Sequence, residues 1–186
     1  MKILPLSEYP EKQLMQLGSF GYQSRLKFAV TKQESAKSVH LSLELVELEK
    51  PYIKLEPIGY EDHARYREMV EEGNSFGLYM DEELAGIAVC GFQAWNNTLV
   101  LWHLQVAERH RRKSLGSLLI SSVEQAAKSK GIRAITAETQ NTNTGAIAFY
   151  RSCGFKLEGI DLSLYTNEDA VDGEVALYMK KKLYFR

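Results

Sequence analysis

Apolar and polar residues alternate from Arg25 to Val30 and again from His40 to Leu48. Leu26, Phe28 and Val30 mark the first run, and Leu41, Leu43 and Leu45 the second. A two-residue period is that of half-buried strands. The polar Gln33-Glu34-Ser35-Ala36-Lys37 between them predicts the turn of an antiparallel hairpin, which Pro51 is expected to close. A short helix is expected around Glu8–Leu17. Glu61–Glu72 predicts a charged helix, ended by Gly73-Asn74 in a left-handed turn. Next come a strand over Phe76–Met80, an acidic turn at Asp81-Glu82-Glu83 and a long strand from Ala85 to Trp95. A tight turn at Asn96-Asn97 leads into a third strand, Thr98–Val106. Its nearly continuous apolar run Leu99-Val100-Leu101-Trp102 predicts a central strand covered on both faces.

The period then changes. Leu115, Leu118, Leu119, Ser122, Val123 and Ala126 share a helical stripe, which predicts a helix packed on a sheet and stopped by Gly131. Ile132–Thr139 reads as a strand and Thr144–Cys153 as a helix ending at Gly154. Phe155–Tyr165 and Glu174–Tyr184 read as a last pair of strands joined by a polar loop. The class predicted is α+β (α/β mixed), with a central, mixed, mostly antiparallel sheet of six to seven strands flanked by helices. The expected organisation is an N-terminal extension over 1–55, its β-hairpin packing on the core, and a main domain over 56–186.

Composition adds exclusions. Of 186 residues, 45% are apolar and 25% charged, an ordinary globular balance. A net charge of −1 gives no global attraction to nucleic acid or to an acidic membrane. No apolar run approaches the roughly 18 residues that span a bilayer, and no signal-peptide core is seen at the N-terminus. Cys90 and Cys153 are expected as buried thiols in a cytoplasmic protein rather than as a disulfide. Neither nucleic acid nor membrane is expected as a partner, and no metal as a cofactor.

The chemistry concentrates between Leu99 and Phe155. Arg109, His110, Arg111, Arg112 and Lys113 place four fixed positive charges within five residues, directly before the helix that starts near Leu115. A solvated loop is the ordinary explanation of such a run. A helix beginning inside it, however, turns unpaired backbone N–H groups and a positive dipole end toward an anion. The spacing is neither that of a nucleotide P-loop nor that of a dinucleotide fingerprint. About thirty-five residues later stand Asn143, Ala146, Phe149, Tyr150, Gly154 and Phe155. Tyr150 is a candidate proton donor, since a phenol within hydrogen-bond reach can protonate a departing thiolate; a core aromatic is the plainer alternative.

These two motifs together resemble the Gcn5-related N-acetyltransferases (GNAT). That family's acetyl-CoA motif is Arg/Gln-x-x-Gly-x-Gly/Ala between a strand and a helix. Arg111 takes its first position, Ser114 the place of the first glycine and Gly116 the second. The resemblance implies that the turn formed by Arg111, Arg112, Lys113, Ser114, Leu115, Gly116 and Ser117 holds the pyrophosphate of acetyl-CoA. It also implies backbone contacts from Leu104, Gln105 and Val106 to the pantetheine arm, a further contact from Asn143, and Tyr150 near the thioester sulfur. Serine at position 114 departs from the motif, because glycine's backbone freedom is lost at a tight turn.

Attack by an amine also needs a base. Glu138, near the end of its strand, is the first candidate, at a spacing where enzymes resembling those that acetylate ribosomal-protein N-termini carry their base. A structural, salt-bridged glutamate is the equal alternative. His103 is second, Glu174 and Asp172 third, and ordered water also serves in such enzymes. Ala137–Asn143, Leu164-Tyr165, Glu174–Tyr178, Lys50–Lys54 and the Trp95-Asn96-Asn97 turn narrow the likeness to the streptothricin acetyltransferase branch. That branch tends to carry acidic residues where Trp102 and His103 stand. An acidic pocket for a small antibiotic is then expected from Glu138, Asp161, Asp172 and Glu174. The alternatives are a peptide amine as acceptor, with the hairpin loops as its groove, or a non-catalytic acyl-CoA sensor. A homodimer is implied only at the family level.

Overall fold

A computed structural model describes residues 1–55, 60–171 and 173–184. In chain order these form β1 (Lys2–Pro5), α1 (Glu11–Leu14), β2 (Gly21–Glu34), β3 (Val39–Leu55), α2 (Tyr60–Glu71), β4 (Phe76–Met80), β5 (Glu83–Gln93), β6 (Thr98–Val106), α3 (Leu115–Ser129), β7 (Ala134–Gln140), α4 (Thr144–Ser152), β8 (Lys156–Asp161) and β9 (Ala176–Lys182). Seven strands make one sheet in the order β1-β4-β5-β6-β7-β9-β8, and β2 pairs with β3 alone. The predicted mixed α+β class, with a mostly antiparallel sheet, is what the chain adopts.

By its internal contacts the chain divides into two compact units. The first comprises Met1–Phe20, Glu56–Ala137 and Lys180–Arg186. Its centre is β5, buried from Leu84 to Gly91 because α2 covers one face and α3 the other. The acidic turn before β5 puts Asp81 (φ 48°) and Glu82 (φ 68°) in the left-handed region, as a two-residue hairpin of type I′ requires. β6 runs antiparallel to β5, with a bulge at Trp102 where Cys90 pairs Leu101 and Val89 pairs His103. Its parallel register with β7 runs from Thr98/Ala134 to Leu101/Ala137. The expectation that both faces of β6 are covered fails at the bulge. Leu99 and Leu101 are buried, but Trp102 is exposed beneath the Arg65 guanidinium, 5.1 Å from its ring.

Helix α3 is rotated from its predicted stripe. Leu115, Leu119, Ile120, Val123 and Ala127 are buried, and Leu118 faces solvent. Ile120 replaces Leu118 in the seam, because several apolar residues in succession let the helix choose its buried face by packing. Cys90 is fully buried, where the apolar surroundings push its thiol pKa up; Cys153 is half-buried, and among the described residues neither forms a disulfide.

The second unit comprises Gly21–Leu55 and Glu138–Met179. Its hairpin outruns the prediction. β2 and β3 pair from Leu26/Glu47 to Glu34/Val39, then jump register and resume from Ser24/Tyr52 to Gly21/Leu55. Pro51 sits in the looped-out stretch, where its missing N–H leaves no ladder bond unmade. It therefore interrupts the hairpin without closing it. Gly21 (φ 150°) lies so close to β3 that a Cβ would stand 2.2 Å from the Lys54 carbonyl oxygen. β8 ends at Asp161 and does not reach Tyr165, because Asp169 gathers the following loop into turns. Its carboxylate accepts the N–H groups of Tyr165 (2.8 Å) and Thr166 (2.7 Å) and the Thr166 hydroxyl (2.6 Å). β9 starts at Ala176, two residues later than expected.

Candidate active site

In the first unit, the chain leaves β6 through a short turn at Glu108–His110 and enters α3 at Leu115. Arg112 and Ser114 both have φ near 60°, so the backbone twice takes the left-handed conformation in three residues. Ser114 thus adopts the geometry that the family's glycine adopts freely. Its side chain makes no cap, and the first helical bond is from the Leu118 N–H to the Ser114 carbonyl (3.2 Å). The N–H groups of Leu115 and Gly116 precede that bond and lie along the positive end of a 15-residue helix. A cradle of this kind fits a pyrophosphate.

The charges around it are not equivalent. Arg109 is paired with Glu83 (2.8 Å), and the Lys113 ammonium reaches the Arg109 carbonyl (3.4 Å). The Arg111 guanidinium donates to the carbonyls of Val106 (3.2 Å) and Ser19 (3.3 Å), which pins the turn to the end of β6 while its charge remains exposed. Leu104, Gln105 and Val106 pair with Ala88, Ile87 and Gly86 of β5 and lie beyond the register with β7. Gln105 is buried through its side chain, which donates to the Gly18 carbonyl (3.1 Å).

His103 is buried between the rings of Phe20 (4.5 Å) and Tyr66 (5.7 Å). Because the Gln105 amide nitrogen is spent on Gly18, its oxygen faces the His103 Nε2 at 3.2 Å. Nε2 therefore carries the hydrogen, and Nδ1 is a bare lone pair with no partner among the described residues. Burial lowers the imidazole pKa to about 4, against an upward pull from the Gln105 hydrogen bond.

In the second unit, Glu138 stands half-exposed near the end of β7 and accepts the Tyr165 hydroxyl. Glu174 is saturated. It accepts from Tyr22 (2.6 Å) and Thr142 (2.9 Å) and pairs with the Lys54 ammonium. Burial alone would raise its carboxyl pKa, but Lys54, Tyr22 and Thr142 together hold it below the usual range. A carboxylate so engaged is a poor base, so Glu174 leaves that list. Asp172 lies outside the described residues. Asn143 caps α4, its Oδ1 accepting from the Ala146 N–H (3.1 Å). Tyr150 is buried on the inner face of α4, 5.4 Å ring to ring from Phe155 and 5.5 Å from Phe149.

The structure thus places Leu104–Val106 and Arg111–Ser117 in the first unit, and Glu138, Asn143 and Tyr150 in the second. Tyr22, Lys54, Tyr165 and Asp169 were not singled out from the sequence as site residues. A tyrosine and a lysine at strand ends and a tyrosine in a loop carry no spacing signal, although Lys54 and Tyr165 fall in segments that carry the streptothricin-branch likeness. Among the described residues, no helix is long and apolar enough to cross a membrane.

A strand delivering its chain into a basic turn and an uncapped helix start, within a mostly antiparallel sheet, is the arrangement that the GNAT resemblance implies. Residues 43–155 match the Acetyltransferase (GNAT) family, and the chain belongs to that family, whose members are acetyl-CoA-dependent N-acetyltransferases. The chain is 33% identical over 144 residues to a streptothricin acetyltransferase of Escherichia coli, covering 75% of this chain and 78% of that one. It is 38% identical over 99 residues to a streptothricin acetyltransferase of Streptomyces lavendulae, covering 53% of this chain and 52% of that relative. The match thus spans about half the length of the Streptomyces protein. Among solved structures, nourseothricin acetyltransferase superposes with a TM-score of 0.74 at 27% identity, covering 98% of this chain and 99% of the other.

Proposed function

We propose that this acetyltransferase moves the acetyl group of acetyl-CoA to a primary amine of a small, streptothricin-like antibiotic, by direct attack of the amine and without a metal. The observation that carries the acceptor class is the likeness to nourseothricin acetyltransferase over nearly the whole of both chains, with the two streptothricin relatives beside it. The cofactor half rests on the turn before α3, whose left-handed residues and uncapped helix start suit a diphosphate. When bound, acetyl-CoA supplies the activated acyl carbon. The turn from Arg111 to Ser117 holds its pyrophosphate, and Leu104–Val106 and the Asn143 amide hold the pantetheine arm. Glu138 takes the proton that the acceptor's ammonium must lose. Tyr150 donates its phenolic proton to the departing thiolate. We assign the enzyme to the cytoplasm, where acetyl-CoA is available.

A thiol-release assay against streptothricin, aminoglycosides, polyamines, amino acids and short peptides tests this reading. Release that depends on streptothricin is expected; acetyl-CoA binding without release from any amine would leave a sensor. In the same assay Tyr150→Phe should lower kcat roughly tenfold to a thousandfold, with acetyl-CoA affinity kept. An unchanged kcat removes Tyr150 from the mechanism.

A further inference from the structure

Tyr165 is exposed over 40% of its surface, yet it is held from several directions. Its backbone N–H is anchored on Asp169, itself buried to 2% exposure. Gly173 packs on the same residue so closely that a Cβ would lie 2.8 Å from the Asp169 Cα. The Lys54 ammonium stands 5.6 Å from the Tyr165 ring centroid and is pinned in turn by Glu174. The phenol has a defined direction of donation: its O–H goes to Glu138 Oε1. An ordinary surface tyrosine needs none of this ordering, which costs side-chain entropy.

We propose that Tyr165 is a positioning residue for Glu138, its hydroxyl orienting the carboxylate that takes the proton of the acceptor amine. The inference rests on Glu138 as the base. A hydrogen bond to an ionised carboxylate is shorter and stronger than one between neutral groups, and it favours the charged form. Burial, and then the Glu138 carboxylate, push the phenol's pKa well above its ordinary value, so it stays a donor throughout the working range. Among the described residues, the charged and titratable groups acting on this pair include Lys54 and Glu174 at the Tyr165 ring, and Tyr178, on which Asp161 and Glu138 both act. Gln140 completes the polar surroundings.

Tyr165→Phe keeps the ring and removes the donor. The Glu138 titration midpoint, read by NMR on protein carrying ¹³C-labelled glutamate without acetyl-CoA, is expected to rise by about one pH unit. The acidic limb of kcat/KM for the acceptor should move up with it, while KM for acetyl-CoA stays constant. Glu138→Gln assigns the resonance and should abolish the limb. Incorporation of 3-fluorotyrosine at position 165 preserves the packing and acidifies the phenol, so the midpoint should fall instead. A midpoint unmoved by either change overturns positioning by Tyr165. A midpoint that moves while the limb stays in place overturns Glu138 as the base, and the positioning role falls with it.

Discussion

At position 114 a side chain occupies a conformation that suits glycine, and this is where the chain departs most visibly from its family's motif. A left-handed residue with a Cβ costs roughly 1–2 kcal/mol, offset in part by the greater freedom glycine has when unfolded. Ser114→Gly is therefore expected to stabilise the protein by about 1 kcal/mol in urea melts and to bind acetyl-CoA at least as tightly in calorimetry. Weaker binding would mean that the serine hydroxyl itself touches the cofactor. His103 is the second residue whose environment opposes its type. Its folded pKa of about 4 lies below the ordinary 6.5. Above pH 6.5 neither folded nor unfolded chain binds the proton; between 6.5 and 4 only the unfolded chain does. Stability is thus fully present at neutral pH and lost as the pH falls through that window, by roughly 3 kcal/mol at most. His103→Gln should flatten the drop in melting temperature between pH 7 and pH 4.5. An equally steep drop would show that other groups carry it.

The elements follow their periodicity in kind and miss it in detail. Both hairpin strands, the β4–β6 meander and the helices α2, α3 and α4 stand where the pattern puts them, because alternation and helical stripes reflect which face each element can bury. The rotation of α3 shows where that rule loses resolution. Leu118 and Ile120 are equally apolar, and only contact with the sheet chooses between them. Leu119→Ala should cost about 2–5 kcal/mol, since the side chain is fully enclosed, whereas Leu118→Ala should change stability by about half a kcal/mol or less. Equal losses in paired urea titrations would restore the predicted face. The early end of β8 has a different cause. A buried aspartate, Asp169, spends its acceptors on three donors of the loop behind it. No periodicity announces such a residue, because a turn aspartate is ordinary in any polar loop.

For the molecule as a whole, a net charge of −1 offers a polyanionic cofactor no global attraction, so on the proposed reading attraction is local to the turn before α3. Acetyl-CoA binding should weaken as salt rises, and Arg111→Ala should raise its dissociation constant and flatten that dependence. An unchanged constant would remove Arg111 from the cofactor site. The basic turn was legible because everything it needs lies within about ten consecutive residues. The same holds for the Asn143–Phe155 motif, where a helix cap and a tyrosine two turns later are set by local geometry. Fold class, strand order along the chain and both signatures therefore belong to the sequence by itself. The carboxylate surroundings do not. Tyr22 meets Glu174 from 152 positions away, and Lys54 meets it from 120. Those meetings depend on the register jump at Pro51, on the length of β3 beyond it, and on the loop that Asp169 folds under Tyr165. Only the tertiary structure decided which carboxylate is saturated, which remains half-exposed and which tyrosine hydroxyl reaches it. Local pattern sets the elements, but the contacts between distant side chains are settled by how registers, bulges and loops add up.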